Sequence, residues 1–175
     1  MWQYWSHFRY TMIHKYYVFI ECVKEGIILR GILHDWSKFT PSEFSAYANY
    51  FFNKDGSRKT VSKNGIPKDD PFFNALDSHQ SNNDHHWQYW ATIISIDDIE
   101  VKHMSVNAMK ELICDWKGAG LATGTGGVDN PLSWYKKNRE TMMFHTMTRA
   151  YIEKKIGYKD GTSIMEMVMC LRYNE

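Results

Sequence analysis

The sequence predicts an all-α, single-domain protein, and three observations carry that expectation. Apolar residues recur at steps of three and four through most of the chain, which is the period of one helix face. Strict apolar–polar alternation over the length of a strand is hard to find. With 175 residues, 43% of them hydrophobic and 15% aromatic, the chain is domain-sized and has the apolar matter for a sizeable core. Disorder is excluded for most of its length.

A first helix is expected over residues 2–24, with Tyr10, Ile13, Tyr17, Ile20 and Val23 on one face and Gly26 ending it. A second runs over 27–39 and stops at Thr40-Pro41-Ser42-Glu43, which offers an N-cap, a first-turn proline and a capping glutamate to a third helix over 41–53. Residues 54–70 are polar and punctuated by Gly and Pro, so they form a long loop. Asp70-Pro71 opens a fourth helix toward Ser81, and Asn82-Asn83-Asp84 then bends the chain. A fifth helix spans Ser105 to Trp116, with Gly118 as its stop. The glycine-rich stretch 118–127 makes the region near 118–130 a second long loop, a flexible connection or lid. Asn130-Pro131 begins a long helix to about residue 155. No repeat and no second domain is evident, so residues 1–175 read as one helical bundle.

Charge and cysteine content narrow the function. The net charge is +1 and no stretch concentrates Lys and Arg, which argues against duplex nucleic acid as a partner. Cys22, Cys114 and Cys170 are odd in number and widely spaced, so neither a disulfide framework nor a Cys-x-x-Cys metal site is expected, and a reducing compartment fits best. The N-terminus lacks a basic stretch followed by an apolar core, and nowhere do about 18 apolar residues run together. The expectation is a soluble, unprocessed, cytoplasmic protein with no membrane partner, able to form a homo-oligomer.

The eight histidines fall beside acidic residues. In His34-Asp35-Trp36-Ser37-Lys38, a helix would put His34 and Lys38 one turn apart with Asp35 between their flanks. Imidazole and carboxylate are donors for a divalent metal, and a lysine beside them can hold a phosphate or developing negative charge. A capped, solvent-exposed helix end is the bland alternative for the doublet alone. Its company is His14-Lys15 upstream, then His79, Asn83-Asp84-His85-His86, and Asp115 within Leu112-Ile113-Cys114-Asp115-Trp116. An ionised carboxylate in such an apolar stretch costs roughly several kcal/mol unless paired or metal-bound. A continuous helix through 79–86 would favour His86 over His85 as the partner of His79, although the Asn-Asn-Asp turn disturbs that phase.

This order of residues resembles the HD superfamily of metal-dependent phosphohydrolases, an all-helical fold. The wording Gly31-Ile32-Leu33-His34-Asp35-Trp36-Ser37-Lys38-Phe39, with Glu43-Phe44 and His79-x-x-x-Asn83-x-His85-His86, is closer still to an uncharacterised HD-like family of phages and bacteria. The resemblance covers roughly residues 10–120. It implies His14, His34, Asp35 and Asp115 as ligands of a first metal, and His79 with His86 or His85 as those of a second. Lys38 matches the lysine of the His-Asp-x-x-Lys motif of the HD-GYP phosphodiesterases, but their Gly-Tyr-Pro triplet is absent, so a cyclic dinucleotide substrate is not implied.

The reading that follows is a phosphohydrolase with one or two divalent ions (Mn, Mg, Co, Zn or Fe) and a small phosphorylated, nucleotide-like substrate. Asp35 and Lys38 would be catalytic, and Lys15, Lys38, Asn83 and His85 would contact substrate. By chemistry alone Arg30, Lys117 and Arg139 could also contact phosphate, but most of these cations are expected to be surface charge. His7 is expected to be solvated or satisfied in the core, and His103 and His145 to be structural. Trp36, Trp87, Trp90 and Trp116 are core at helical spacing rather than a base-stacking set. The rival readings are an HD-fold di-iron oxygenase, separable by its need for iron, and a non-catalytic helical protein with a metal.

Overall fold

The computed structural model describes residues 1–61, 66–123 and 131–159. Among these the order is α1 (Trp2–Lys24), α2 (Ile28–Leu33), α3 (Pro41–Phe51), α4 (Pro71–Asn82), β1 (Ala91–Ser95), β2 (Asp98–Val101), α5 (Val106–Ala122), α6 (Pro131–Asn138) and α7 (Thr146–Ile156). The fold is mostly helical, as expected, with one small antiparallel hairpin that the sequence reading did not foresee. Ile93, Ile94 and Ile96 of this hairpin are exposed. With neither face buried, no alternating pattern was written into it.

α1 lies against α5, with α2 and α3 on its flanks and α4 beyond α3. The α1–α5 crossing is close because Gly118 lies inside α5: a Cβ there would fall 2.4 Å from Val18 Cγ2. Gly118 is therefore a packing glycine and not the helix stop. α5 continues through Trp116 to Ala122, and residues 124–130 of the expected loop lie outside the described residues, as do 62–65 of the first loop. The main core joins α5 to α6 and α7 through Met109, Leu112, Trp116, Tyr135, Met142 and Ile152. A smaller cluster of Val18, Cys22, Ile27 and Cys114 seals α1 to α5.

Several boundaries differ for local reasons. The expected second helix ends at Leu33: His34 is extended, Asp35 takes the left-handed conformation at φ 53°, and Trp36–Phe39 forms a separate 3-10 turn. His34 and Lys38 therefore do not share a helix face. Lys15 Nζ donates to the carbonyls of Ile32 (2.6 Å) and His34 (2.5 Å), satisfying acceptors that the truncated helix leaves open. Thr40 does not cap α3 through its side chain; its hydroxyl bonds the Ser37 carbonyl, and Glu43 is buried toward Ser37. Asp70 does cap α4, accepting from Phe72 N at 2.7 Å.

The long C-terminal helix is interrupted by a 3-10 turn, Arg139–Thr141, and by an extended link. Met142 is buried in the core and Arg149 Nη2 holds its carbonyl, while His145 restarts the chain by accepting from Met147 N.

Candidate metal centre

Asp35 is the hub of the site. Its left-handed backbone, uncommon for a non-glycine residue, turns the carboxylate inward, where it is 2% exposed. Oδ2 lies 3.5 Å from His14 Nε2 and 3.3 Å from His34 Nε2. Oδ1 lies 3.2 Å from His79 Nε2 and 3.5 Å from His85 Nε2. Asp115 Oδ1, from α5, closes the first side at 3.1 Å from His14 Nε2 and 3.4 Å from His34 Nε2. Two sets of four donors result, His14, His34, Asp35 and Asp115, and Asp35, His79, His85 and His86, each with its ligand atoms within 4.8 Å of one another. Either set could hold a metal ion.

The chemistry of these atoms fits a cation. Nε2 of His14, His34, His79, His85 and His86, together with Asp35 Oδ1, is buried and has no hydrogen-bond partner. Such convergence of orphaned donors is costly unless something coordinates them. The opposite ring nitrogens of three histidines are held from outside. His34 Nδ1 is 2.9 Å from Glu111 Oε1, His85 Nδ1 is 3.4 Å from the same oxygen, and His79 Nδ1 is 3.1 Å from Ser37 Oγ and 3.3 Å from Glu43 Oε2. These contacts turn Nε2 of each ring toward Asp35, the outer support expected of imidazole ligands. Asn83, expected at substrate, donates to the His79 carbonyl at 2.7 Å.

Burial is the largest influence on Asp35, Asp115, His34, His86 and Lys38, and it is outweighed at the two carboxylates. It opposes ionisation of Asp35, yet His34 and Lys38 hold that carboxyl well below its ordinary range. Asp115 is also pulled down against burial, by His14 and His34. Burial likewise opposes charge on His34, but Asp35, Asp115 and Glu111 raise its pKa. His86 is driven the other way, first by burial and then by His85 and His79. Lys38 pairs with Asp35 Oδ2 and lies 5.7 Å over the Tyr47 ring; burial opposes its charge, and Asp35 raises its pKa in spite of it.

Every residue expected as a ligand is in this cluster, and His85 and His86 both belong to it. Lys15, expected at substrate, lies under the His34 turn, donating to the Ile32 and His34 carbonyls. Arg30 pairs with Glu111 and Asp84, Lys117 with Glu21, and Arg139 with Glu140 and Glu153, so these three cations hold the fold. Trp116 is buried; Trp87 and Trp90 pack against the main core; Trp36 is 66% exposed.

Sequence reasoning missed Glu111 and the buried role of Glu43. Glu111 lies one turn before Asp115 in the same apolar stretch of α5, so the signal that singled out Asp115 was present there too. His7 is neither solvated nor satisfied: it is 3% exposed, both ring nitrogens lack partners, and its ring lies among Phe44, Tyr47 and Phe52. Burial, then Lys38 and Arg58, bring its pKa down to about 4. His145 is structural as expected, capping α7.

Among curated proteins and among solved structures, no match to the chain was found. A family model does match, over residues 3–158, which includes every donor of the cluster, and the chain belongs to that family, described as a family of unknown function, DUF5662.

Proposed function

We propose that this chain is a metal-dependent phosphohydrolase acting on a nucleotide or related phosphoester through a metal-activated water. The observation that carries the proposal is the position of Asp35 between two donor sets, one carboxylate oxygen facing each. That arrangement suits a pair of cations bridged by one carboxylate. The imidazole-rich donors favour Zn²⁺, Fe, Co²⁺ or Mn²⁺ over Mg²⁺. A divalent ion in such a site supplies polarisation of a phosphoryl oxygen and lowers the pKa of a bound water toward neutrality.

The chain's own residues supply orientation and charge. Glu111 fixes the rings of His34 and His85, while Ser37 and Glu43 fix His79. Lys38, held protonated beside Asp35, offers a cation to the negative charge that grows on a phosphoryl group in transfer.

The test is metal analysis of the purified protein coupled to phosphate release across a nucleotide panel, repeated with each candidate metal. Bound metal with turnover that Asp35→Asn abolishes supports the proposal. Bound metal without turnover on any phosphoester would overturn it, in favour of an oxygenase if the metal is iron alone and otherwise of a non-catalytic metal protein.

A further inference from the structure

We infer that the cleft between α3 and α4 is a second small-molecule site, suited to an uncharged nucleoside-like ligand and coupled to the candidate metal centre through His79. The cleft has a volume of about 1160 Å³, ample for a ligand of that size. None of the seven residues of the two donor sets lines it, but Ser37, Glu43 and Asn83 do. These are the residues that hold His79 from its Nδ1 side and its carbonyl. The cleft thus lies behind His79, on the side away from Asp35, and a ligand there would meet the outer supports of that ring.

The lining sets the chemical class. Ser42, Ser45, Asn49, Asn74, Ser78 and Asn82 present hydroxyl and amide groups, which suit a ligand rich in hydroxyls and ring nitrogens. Ala46, Ala75 and Phe72 give an apolar wall beside Tyr50, whose ring stacks on Phe72 at 3.9 Å between centroids, and such a wall suits a planar base. Among the described residues the charged lining is Glu43, Asp70 and Lys59. Two acids against one lysine, whose Nζ already donates to the Asn49 carbonyl, disfavour a phosphate. An uncharged nucleoside fits better than its nucleotide.

Nucleoside binding needs neither metal nor turnover, so its failure is distinct from failure of the phosphohydrolase proposal. The probes are adenosine and uridine, each against its 5′-monophosphate and against inorganic phosphate, titrated into the full-length protein and followed by amide chemical shifts. A nucleoside should perturb amides around Ala46, Asn49, Ala75 and Ser78, and phosphate should not. Ala75→Trp, which fills the cleft without touching a donor, should weaken nucleoside binding at least tenfold at unchanged metal content. Saturating nucleoside should also change the affinity for added Mn²⁺ in the wild type and not in Ala75→Trp. No shifts up to the solubility limit, shifts confined to other regions, or a response reproduced by phosphate alone would overturn the site. Nucleoside binding that leaves Mn²⁺ affinity untouched would overturn the coupling. Should Ala75→Trp fail to fold, the wild-type shift map and Mn²⁺ titration decide by themselves.

Discussion

His34 Nδ1 and Glu111 Oε1 are 2.9 Å apart, and this one contact joins the turn after α2 to α5 at the level of Asp35. Glu111 is in turn held by Arg30, which also reaches Asp84 just before His85. A single buried carboxylate thereby supports a donor from each set. Glu111→Gln keeps an acceptor and loses the charge, whereas Glu111→Ala loses both. The expected effect is metal affinity lower by about tenfold for the first and toward a hundredfold for the second. Competition against a chromophoric chelator measures both, and wild-type affinity in the alanine variant would remove Glu111 from the site.

The two donor sets predict a stoichiometry. Wild type should bind two divalent ions, His86→Ala and His79→Ala should retain one, and Asp35→Asn should lose both, because only Asp35 belongs to each set. Elemental analysis after dialysis gives the ratios. Two ions surviving in His79→Ala would count against the second set.

Lys38 separates chemistry from scaffolding. Under the phosphohydrolase proposal, Lys38→Met keeps metal content and lowers turnover by roughly two to three orders of magnitude. If Lys38 serves only to neutralise Asp35, the same variant keeps its rate and loses stability instead, and a denaturation curve beside the kinetics tells the two apart.

His7 gives the fold a pH dependence. Its pKa is about 4 in the folded chain against an ordinary 6.5, so between those values the unfolded chain binds more protons and stability must fall as the pH falls. The full shift corresponds to roughly 3 kcal/mol, lost by about pH 4. His7→Phe should flatten that part of the stability–pH curve and raise stability at pH 5, since it also removes two unpartnered buried nitrogens. Equal slopes in the two proteins between pH 4 and 6.5 would contradict this.

Gly118 tests the packing that brings α1 and α5 together. Gly118→Ala sets a methyl 2.4 Å from Val18 Cγ2 and 2.9 Å from its backbone nitrogen, so the helices must separate, at a cost of about 1–3 kcal/mol. Val18→Ala should recover part of that loss, and the double-mutant cycle should show a coupling well beyond additivity.

Helix periodicity was legible wherever one face packs and the other is wet, which is why α1, α3 and α4 lie close to their expected spans. It failed where tertiary contacts decided. Lys15, far from residues 32–34 in sequence, supports the break after Leu33, and burial of Met142 breaks the C-terminal helix. The hairpin had no buried face to pattern it. Among site residues, histidines and the Asp35 and Asp115 carboxylates were legible because each is chemically conspicuous in its surroundings. Glu43 was masked by its plausibility as a capping residue, and Glu111 went unnoticed although it shares the apolar setting of Asp115. His85 and His86 could not be separated by helical phase, because α4 stops at Asn82 and both follow in a turn.

The Gly118–Val18 crossing also bears on the order in which the chain takes shape. It joins the first long helix to one more than half the chain away, and closing so large a loop costs entropy before any contact can repay it. α1 with α2 and α3 can associate from near neighbours, but His14 cannot meet Asp115 until that crossing closes. During synthesis the histidines of the first half therefore emerge without their α5 carboxylates. The set that contains Asp115 is completed only after α5 has docked.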